Sequence, residues 1–78
     1  MGFTKSDRRQ DAKTDLWDVW SLRGAIHLGW VKWFPHGRKY AFHPAELTVF
    51  DEDCLREIAT FCELETQRHK AGRRAFRD

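Results

Sequence analysis

The chain has 78 residues, of which 41% are hydrophobic and 33% are charged, and its net charge is +2. So short a chain buries only about 60% of its unfolded surface, so one domain with a thin, two-layer core is expected. The composition is too apolar for a wholly disordered chain, and no apolar run approaches the roughly 20 residues of a membrane-spanning helix. We therefore predict one small domain without membrane insertion.

Residues 1–14 are polar and lack hydrophobic periodicity, so they are predicted to be a flexible arm ahead of a single domain at 15–69. Residues 15–24 allow two interpretations. Thr14 or Asp15 could cap a short helix that ends at Gly24, while the alternation of apolar and polar residues over 16–22 fits a strand. We favour a helical turn or an irregular lead-in.

Residues 25–34 alternate as a strand does. The face expected to meet a helix carries Ile26, Leu28, Trp30 and Phe34. Trp33 is then expected to point away from that helix. A type I turn at 34–37 leads into a returning strand at 39–43, which Pro44 ends. Residues 47–50 are predicted to be either a third short strand or the approach to the helix.

An amphipathic helix at about 52–68 is the clearest element. Asp51 is a good N-cap, and Phe50 and Leu55 are placed to form a hydrophobic staple. The apolar stripe consists of Cys54, Leu55, Ile58, Phe61 and Cys62. The hairpin is the only partner long enough to bury it. The predicted fold class is therefore α+β: an antiparallel hairpin, or three short strands, packed by one C-terminal helix. A basic tail at 70–78 is expected after the Ala71-Gly72 break.

No constellation in the sequence predicts catalysis. Cys54 and Cys62 lie in the apolar stripe, where burial raises the pKa of a thiol and makes it inert. They are eight residues apart, or about 12 Å along a helix, which is too far for a disulfide between them. Two reduced cysteines suit a cytoplasmic protein. Metal-ligand spacings and a glycine-rich phosphate loop are missing, so no metal and no cofactor are predicted.

Histidines offer the one enzymatic alternative. His36 and His43, with His27, could in principle cleave RNA by general acid–base chemistry. Ordinary surface and turn positions explain these residues better, because a general base is defined by geometry and not by residue type. The chain is therefore predicted not to be an enzyme.

The aromatic residues are too many for a thin core: four tryptophans, six phenylalanines and one tyrosine. Exposed aromatic side chains beside arginine are typical of protein-binding hot spots. The predicted partner contacts are Trp33, Arg38, Lys39 and Tyr40, with Trp17 and Trp20 beside them. The alternative is that residues 15–24 fold over the second face of the sheet and bury Trp33 there.

Aromatic side chains interleaved with cations also suit single-stranded nucleic acid. The tail would then contribute Arg73, Arg74 and Arg77. Against this alternative, residues 51–69 contain six acidic side chains and only two basic ones, and the pI is only 8.7. No sequence signature of an RRM or KH domain is present.

Several short motifs resemble those of small phage and prophage proteins of unassigned function. They are Val31-Lys32-Trp33-Phe34, the run 37–44 (GRKYAFHP), Thr48-Val49-Phe50-Asp51 and the run 54–61 (CLREIATF). The resemblance covers about residues 30–62 and brings no active site with it. It implies an origin in a bacterial virus or mobile element.

The leading hypothesis is a phage accessory protein that binds a host protein or nucleoprotein complex and inhibits or modulates it in the host cytoplasm. By analogy with other small phage proteins, an anti-CRISPR protein is one form of this hypothesis. Direct nucleic-acid binding is the alternative. The sequence is compatible with either a monomer or a homodimer.

Overall fold

The computed structural model describes residues 1–6, 14–21 and 26–77, with side chains as far as Ala71. Its elements are β1 (Gly2–Lys5), β2 (Trp17–Trp20), β3 (His27–Phe34), β4 (Lys39–Pro44) and α1 (Glu52–Arg77). The strands form one antiparallel sheet in the order β1-β2-β3-β4, and α1 packs on one face. The predicted α+β class is confirmed, but the sheet has four strands and extends further than the expected hairpin.

The β3–β4 hairpin is the part of the sheet that local sequence predicts best. Residues from Gly29 to Phe34 pair in unbroken register with those from Pro44 to Lys39. The turn spans residues 35–38, one residue later than predicted. The hydrogen bond that closes it runs from the Arg38 amide to the Pro35 carbonyl, at 3.2 Å. Arg38 adopts a left-handed φ of 53° at the end of this turn. A side chain in that region costs roughly 1 kcal/mol or more, so the turn is strained at a basic residue.

Both N-terminal strands differ from the prediction. Residues 2–5 were assigned to a flexible arm, yet they form β1, which pairs with β2 from Gly2↔Trp20 to Lys5↔Trp17. Residues 17–20 form a strand and not a helical turn, so the alternation was the correct signal. A strand can pair through its backbone with little side-chain periodicity, which is why β1 was missed. Residues 7–13 of the predicted arm, and Gly24, lie outside the described residues.

A β-bulge in β3 reverses the predicted faces of the sheet. Val19 pairs with Gly29 and Trp20 pairs with His27, so Leu28 is an extra residue opposite β2. Leu28 therefore packs towards α1 together with Val31 and Trp33. The assignment of Trp30 to the helix side and Trp33 to the opposite side was wrong, because a bulge shifts the alternation by one residue.

The core lies between the sheet and α1. Val19 and Val31 are fully buried at its centre, with Tyr40 beside them and Ile58 buried on the helix. Partly buried residues surround this centre: Met1, Phe3, Trp17, Leu28, Trp33, Phe42, Phe61 and Cys62. Phe61 stacks on Phe3 with ring centroids 4.0 Å apart, so the helix also packs on the edge strand β1.

Helix α1 begins where predicted and continues further. The Asp51 carboxylate accepts a hydrogen bond from the Cys54 amide at 2.9 Å, which is the expected N-cap. Phe50 contacts Phe42 and Leu55 is half exposed, so the apolar contact that fixes this end is with β4. Residues 47–50 form no strand, and Leu47 has a left-handed φ of 59°.

The helix runs through the predicted break to Arg77. One glycine costs a helix only about 1 kcal/mol, and Lys, Arg and Ala favour helix, which explains the continuation. Within the described part of the chain, no helix is long and apolar enough to cross a membrane.

Candidate interaction surface

The sheet face turned away from α1 is the candidate interaction surface, and we call it the outer face. Strand register places ten side chains there: Thr4, Asp18, Trp20, His27, Trp30, Lys32, Phe34, Lys39, Ala41 and His43. Helix α1 occupies the opposite face. The outer face therefore collects aromatic and basic groups, while six acidic residues lie in 51–69, the segment that begins α1.

A row of three rings forms the centre of the outer face. The His27 ring lies between two indoles, with its centroid 4.9 Å from that of Trp20 and 4.8 Å from that of Trp30. Both contacts are edge-to-face, with interplanar angles of 68° and 66°. Such aromatic pairs contribute about 0.5–1.5 kcal/mol each beyond their buried area. The row is therefore a stable surface feature and not a set of loose side chains.

Polar partners fix the orientation of this row. The Asp18 carboxylate lies 2.9 Å from Nε2 of His27, which must carry its proton there because an ionised carboxylate only accepts hydrogen bonds. The Trp20 indole Nε1–H donates to the Thr4 hydroxyl at 2.9 Å. The bulge at Leu28 is what brings His27 onto the same face as Trp30. These contacts preorganise the rings, which lowers the entropic cost of binding a partner.

The part of the outer face nearest the β3–β4 turn is the most exposed. Trp30 and Phe34 expose 37% and 40% of their surfaces. Lys32 lies between them on the same strand face, and Lys39 is directly opposite Phe34. Aromatic rings and ammonium groups therefore alternate over this region.

His43 lies opposite Trp30 on β4, and its Nε2 is buried without a hydrogen-bond partner among the described residues. Burial, together with the positive charge of Lys32, lowers the pKa of His43 below its usual 6.5. The unfolded chain thus binds the proton more readily, so the free energy of unfolding should fall as the pH drops below about 6.5.

We expect the urea midpoint to fall between pH 7.5 and pH 5.5, and His43→Gln to reduce this fall. Working above about pH 5 keeps Asp51, whose pKa is lowered from 3.8 by its hydrogen bonds to Cys54, outside the titration window. His36→Gln, at an exposed turn position, is the matched control. An equal pH dependence in His43→Gln and the wild type would contradict the prediction.

The structure separates the aromatic residues predicted to contact a partner. Trp33 faces the helix, with its ring 4.4 Å from that of His69. Tyr40 is buried at 5% exposure, and Trp17 packs edge-on against Phe61. Of the four predicted aromatic contacts, only Trp20 lies on the outer face. Trp30 and Phe34, which the sequence analysis placed in the core, are instead exposed.

Arg38 and Lys39 are exposed and line a groove of about 440 Å³ between the end of the hairpin and α1. From α1 the groove is lined by Ala59, Cys62, Glu63, Thr66, Gln67 and Lys70, and from the hairpin by Gly37, Arg38, Lys39 and Tyr40. The Thr66 hydroxyl accepts a hydrogen bond from the Tyr40 amide and donates one to the Cys62 carbonyl. Arg73, Arg74 and Arg77 follow in α1, and their side chains lie outside the described residues.

The histidines weighed for catalysis are only partly gathered at one site: His27 and His43 both lie beside Trp30 on the outer face. His36 lies in the turn and contacts Phe34. His43 lies on β4, four residue pairs along the hairpin from the Phe34–Lys39 pair, or about 13 Å away. Burial, with a contribution from Glu63, raises the pKa of the Cys62 thiol to about 11. No group of three or more metal-ligating side chains occurs within residues 1–6, 14–21 and 26–77.

Comparison with known proteins does not assign this chain to a family. No protein-family model matches the chain, and no curated protein or solved structure matches it significantly.

Proposed function

We propose that this chain is a non-enzymatic binding protein of a phage or mobile element, and that it docks on a host macromolecular machine and inhibits or modulates it. The observation that carries the proposal is the ring row of the outer face, Trp20–His27–Trp30, on a sheet face that α1 does not cover. Tryptophan at the centre of a preorganised surface is the residue type most enriched in binding hot spots. By analogy with small phage inhibitors, a CRISPR–Cas complex is the first machine to test.

The charge distribution supports an interaction through this face. Lys32 and Lys39 form no ion pair with any described residue, and they flank the exposed rings. Asp18, the one acidic side chain that the described strands place on this face, is engaged by His27. The face therefore presents positive charge around an aromatic centre, which would steer the protein towards an acidic partner surface.

The proposal predicts that Trp30→Ala abolishes capture of the host partner. Truncating a hot-spot tryptophan costs about 2 kcal/mol or more, or about 30-fold in Kd. Affinity capture from the bacterial host, followed by titration of the purified partner, would measure this loss. Leu64→Ala is the matched control, because Leu64 is 46% exposed on the helix, away from the outer face. Equal capture by both variants would exclude the outer face as the docking surface.

Single-stranded nucleic acid is a second candidate partner for the same face. The specific observation is the alternation of Trp30, Lys32, Phe34 and Lys39, since bases stack on rings while cations contact phosphates. Each stacked base contributes about 1–3 kcal/mol. Trp30→Ala would then weaken binding of a labelled oligonucleotide in the absence of any host protein. If the wild type shows no binding at low salt, this candidate is excluded.

A further inference from the structure

Uncompensated positive charge is concentrated in the groove between the hairpin and α1. Seven basic side chains other than histidine are described on residues 1–71, and three of them form ion pairs: Lys5 with Asp15, Arg56 with Asp53, and Arg68 with Glu65. Of the four that form none within the described ranges, Arg38 and Lys70 line this groove. Lys39 lies at its rim, where the strand register directs its side chain to the outer face. One carboxylate, that of Glu63, lines it with them. The groove therefore has a net positive charge.

Folding alone does not explain this arrangement. Arg38 occupies a left-handed position at φ 53°, where glycine or asparagine would be less strained. Its side chain is exposed at the rim, so it gains little from packing. Strain at a residue that contributes no core contact is characteristic of positions retained for binding.

The groove opens onto a line of further basic positions. Helix α1 continues past Lys70 to Arg77. Positions 70, 74 and 77 are three or four residues apart, so they fall on one side of the helix. Positions 63 and 67 precede them on that side and carry glutamate and glutamine. From Lys70 to Arg77 is seven residues, or about 10 Å of helix axis. A row of three basic positions after the groove suits a linear polyanion.

We infer that this groove binds the phosphate backbone of a single-stranded nucleic acid, with Arg38 and Lys70 contacting phosphates. A phosphate backbone is favoured because each phosphate that a lysine or arginine neutralises releases a counterion condensed on the nucleic acid. The inference rests on the groove alone and goes beyond the outer-face proposal.

The test is fluorescence anisotropy with a labelled 12-nucleotide poly-uridine RNA. Arg38→Gln with Lys70→Gln should weaken binding at least tenfold at 50 mM salt, and should reduce the salt dependence of log K by about 1.4, which is 0.7 for each lost phosphate contact. Arg56→Gln with Arg68→Gln is the matched control, since it removes the same charge from cations that are already paired. This control should lose less than about threefold.

Two further variants keep the test independent of folding. Arg38→Gly removes the side chain and relieves the left-handed strain, so it should weaken RNA binding without lowering the urea midpoint. Glu63→Gln removes the carboxylate of the groove and should tighten binding by about two- to fivefold.

Three results would overturn the inference: no RNA binding by the wild type at 50 mM salt, equal losses in the groove and control variants, or competition by poly-glutamate as effective as that by unlabelled RNA. The last would show that the occupant is an acidic protein segment. If the groove variants lose RNA binding while Trp30→Ala retains it, the inference stands, and the nucleic-acid candidate for the outer face is excluded.

Discussion

Replacing Gly29 with alanine is expected to remove about half of the free energy of unfolding. A Cβ at this position would lie 2.3 Å from the backbone oxygen of His43 and 2.9 Å from two ring carbons of Phe42. The His43 backbone cannot move away without breaking the β3–β4 pairing. Gly29 also has a φ of 153°, which side-chain-bearing residues rarely adopt. Overpacking and backbone strain cost about 1–3 kcal/mol each, so together they remove about half of the stability expected for a chain of this length, about 4–12 kcal/mol.

Urea denaturation followed by tryptophan fluorescence would measure this loss. Gly2→Ala is the control, because nothing lies within 4 Å of a Cβ built there. The control should keep the wild-type midpoint. A Gly29→Ala variant that unfolds at the same urea concentration as Gly2→Ala would mean that the bulge does not need glycine.

The same bulge explains why sequence reasoning found the elements but not the surface. The β3–β4 hairpin and the start of α1 follow from local signals, namely alternation, Pro35 in the turn and the Asp51 cap, so they were predictable. The face of the sheet on which each β3 side chain lies was not predictable in this way, because uniform alternation from Ile26 to Phe34 ignores the extra residue at Leu28. A glycine inside a strand is a known signal of a bulge, and Gly29 carried that signal.

The wrong assignment of β3 side chains to the two faces of the sheet also made the predicted contact residues wrong. Exchanging the faces moved Trp33 into the core and Trp30 to the surface, so the predicted aromatic contacts and the exposed rings scarcely overlap. One indole is exposed, as expected, but it belongs to Trp30 and not to Trp33. Arg38 and Lys39 were found correctly as exposed residues, because turn positions are exposed whichever face the strand presents. Their assembly with Lys70 depends on how α1 lies across the hairpin, and no local pattern encodes that.

Phe61→Ala is expected to have the other large effect, because Phe61 connects the helix to both N-terminal strands. Its ring stacks on Phe3 at 4.0 Å, with planes within 5°, and meets Trp17 edge-on at 5.1 Å. Truncating a core phenylalanine costs about 3–5 kcal/mol. The urea midpoint should therefore fall steeply, and Trp17 should become more solvated, which a red shift of the emission would report.

A double-mutant cycle would show whether the stack itself stabilises the edge strand. If Phe3 and Phe61 interact directly, Phe3→Ala with Phe61→Ala should cost about 0.5–1.5 kcal/mol less than the sum of the single variants. Leu64→Ala, on the exposed side of α1, should cost under about 1 kcal/mol and serves as the control for helix truncation. A loss in Phe61→Ala no larger than that in Leu64→Ala would mean that β1 and β2 are not held by this contact. The position of the outer face would then need another explanation, since Trp20 and Asp18 reach it only through β2.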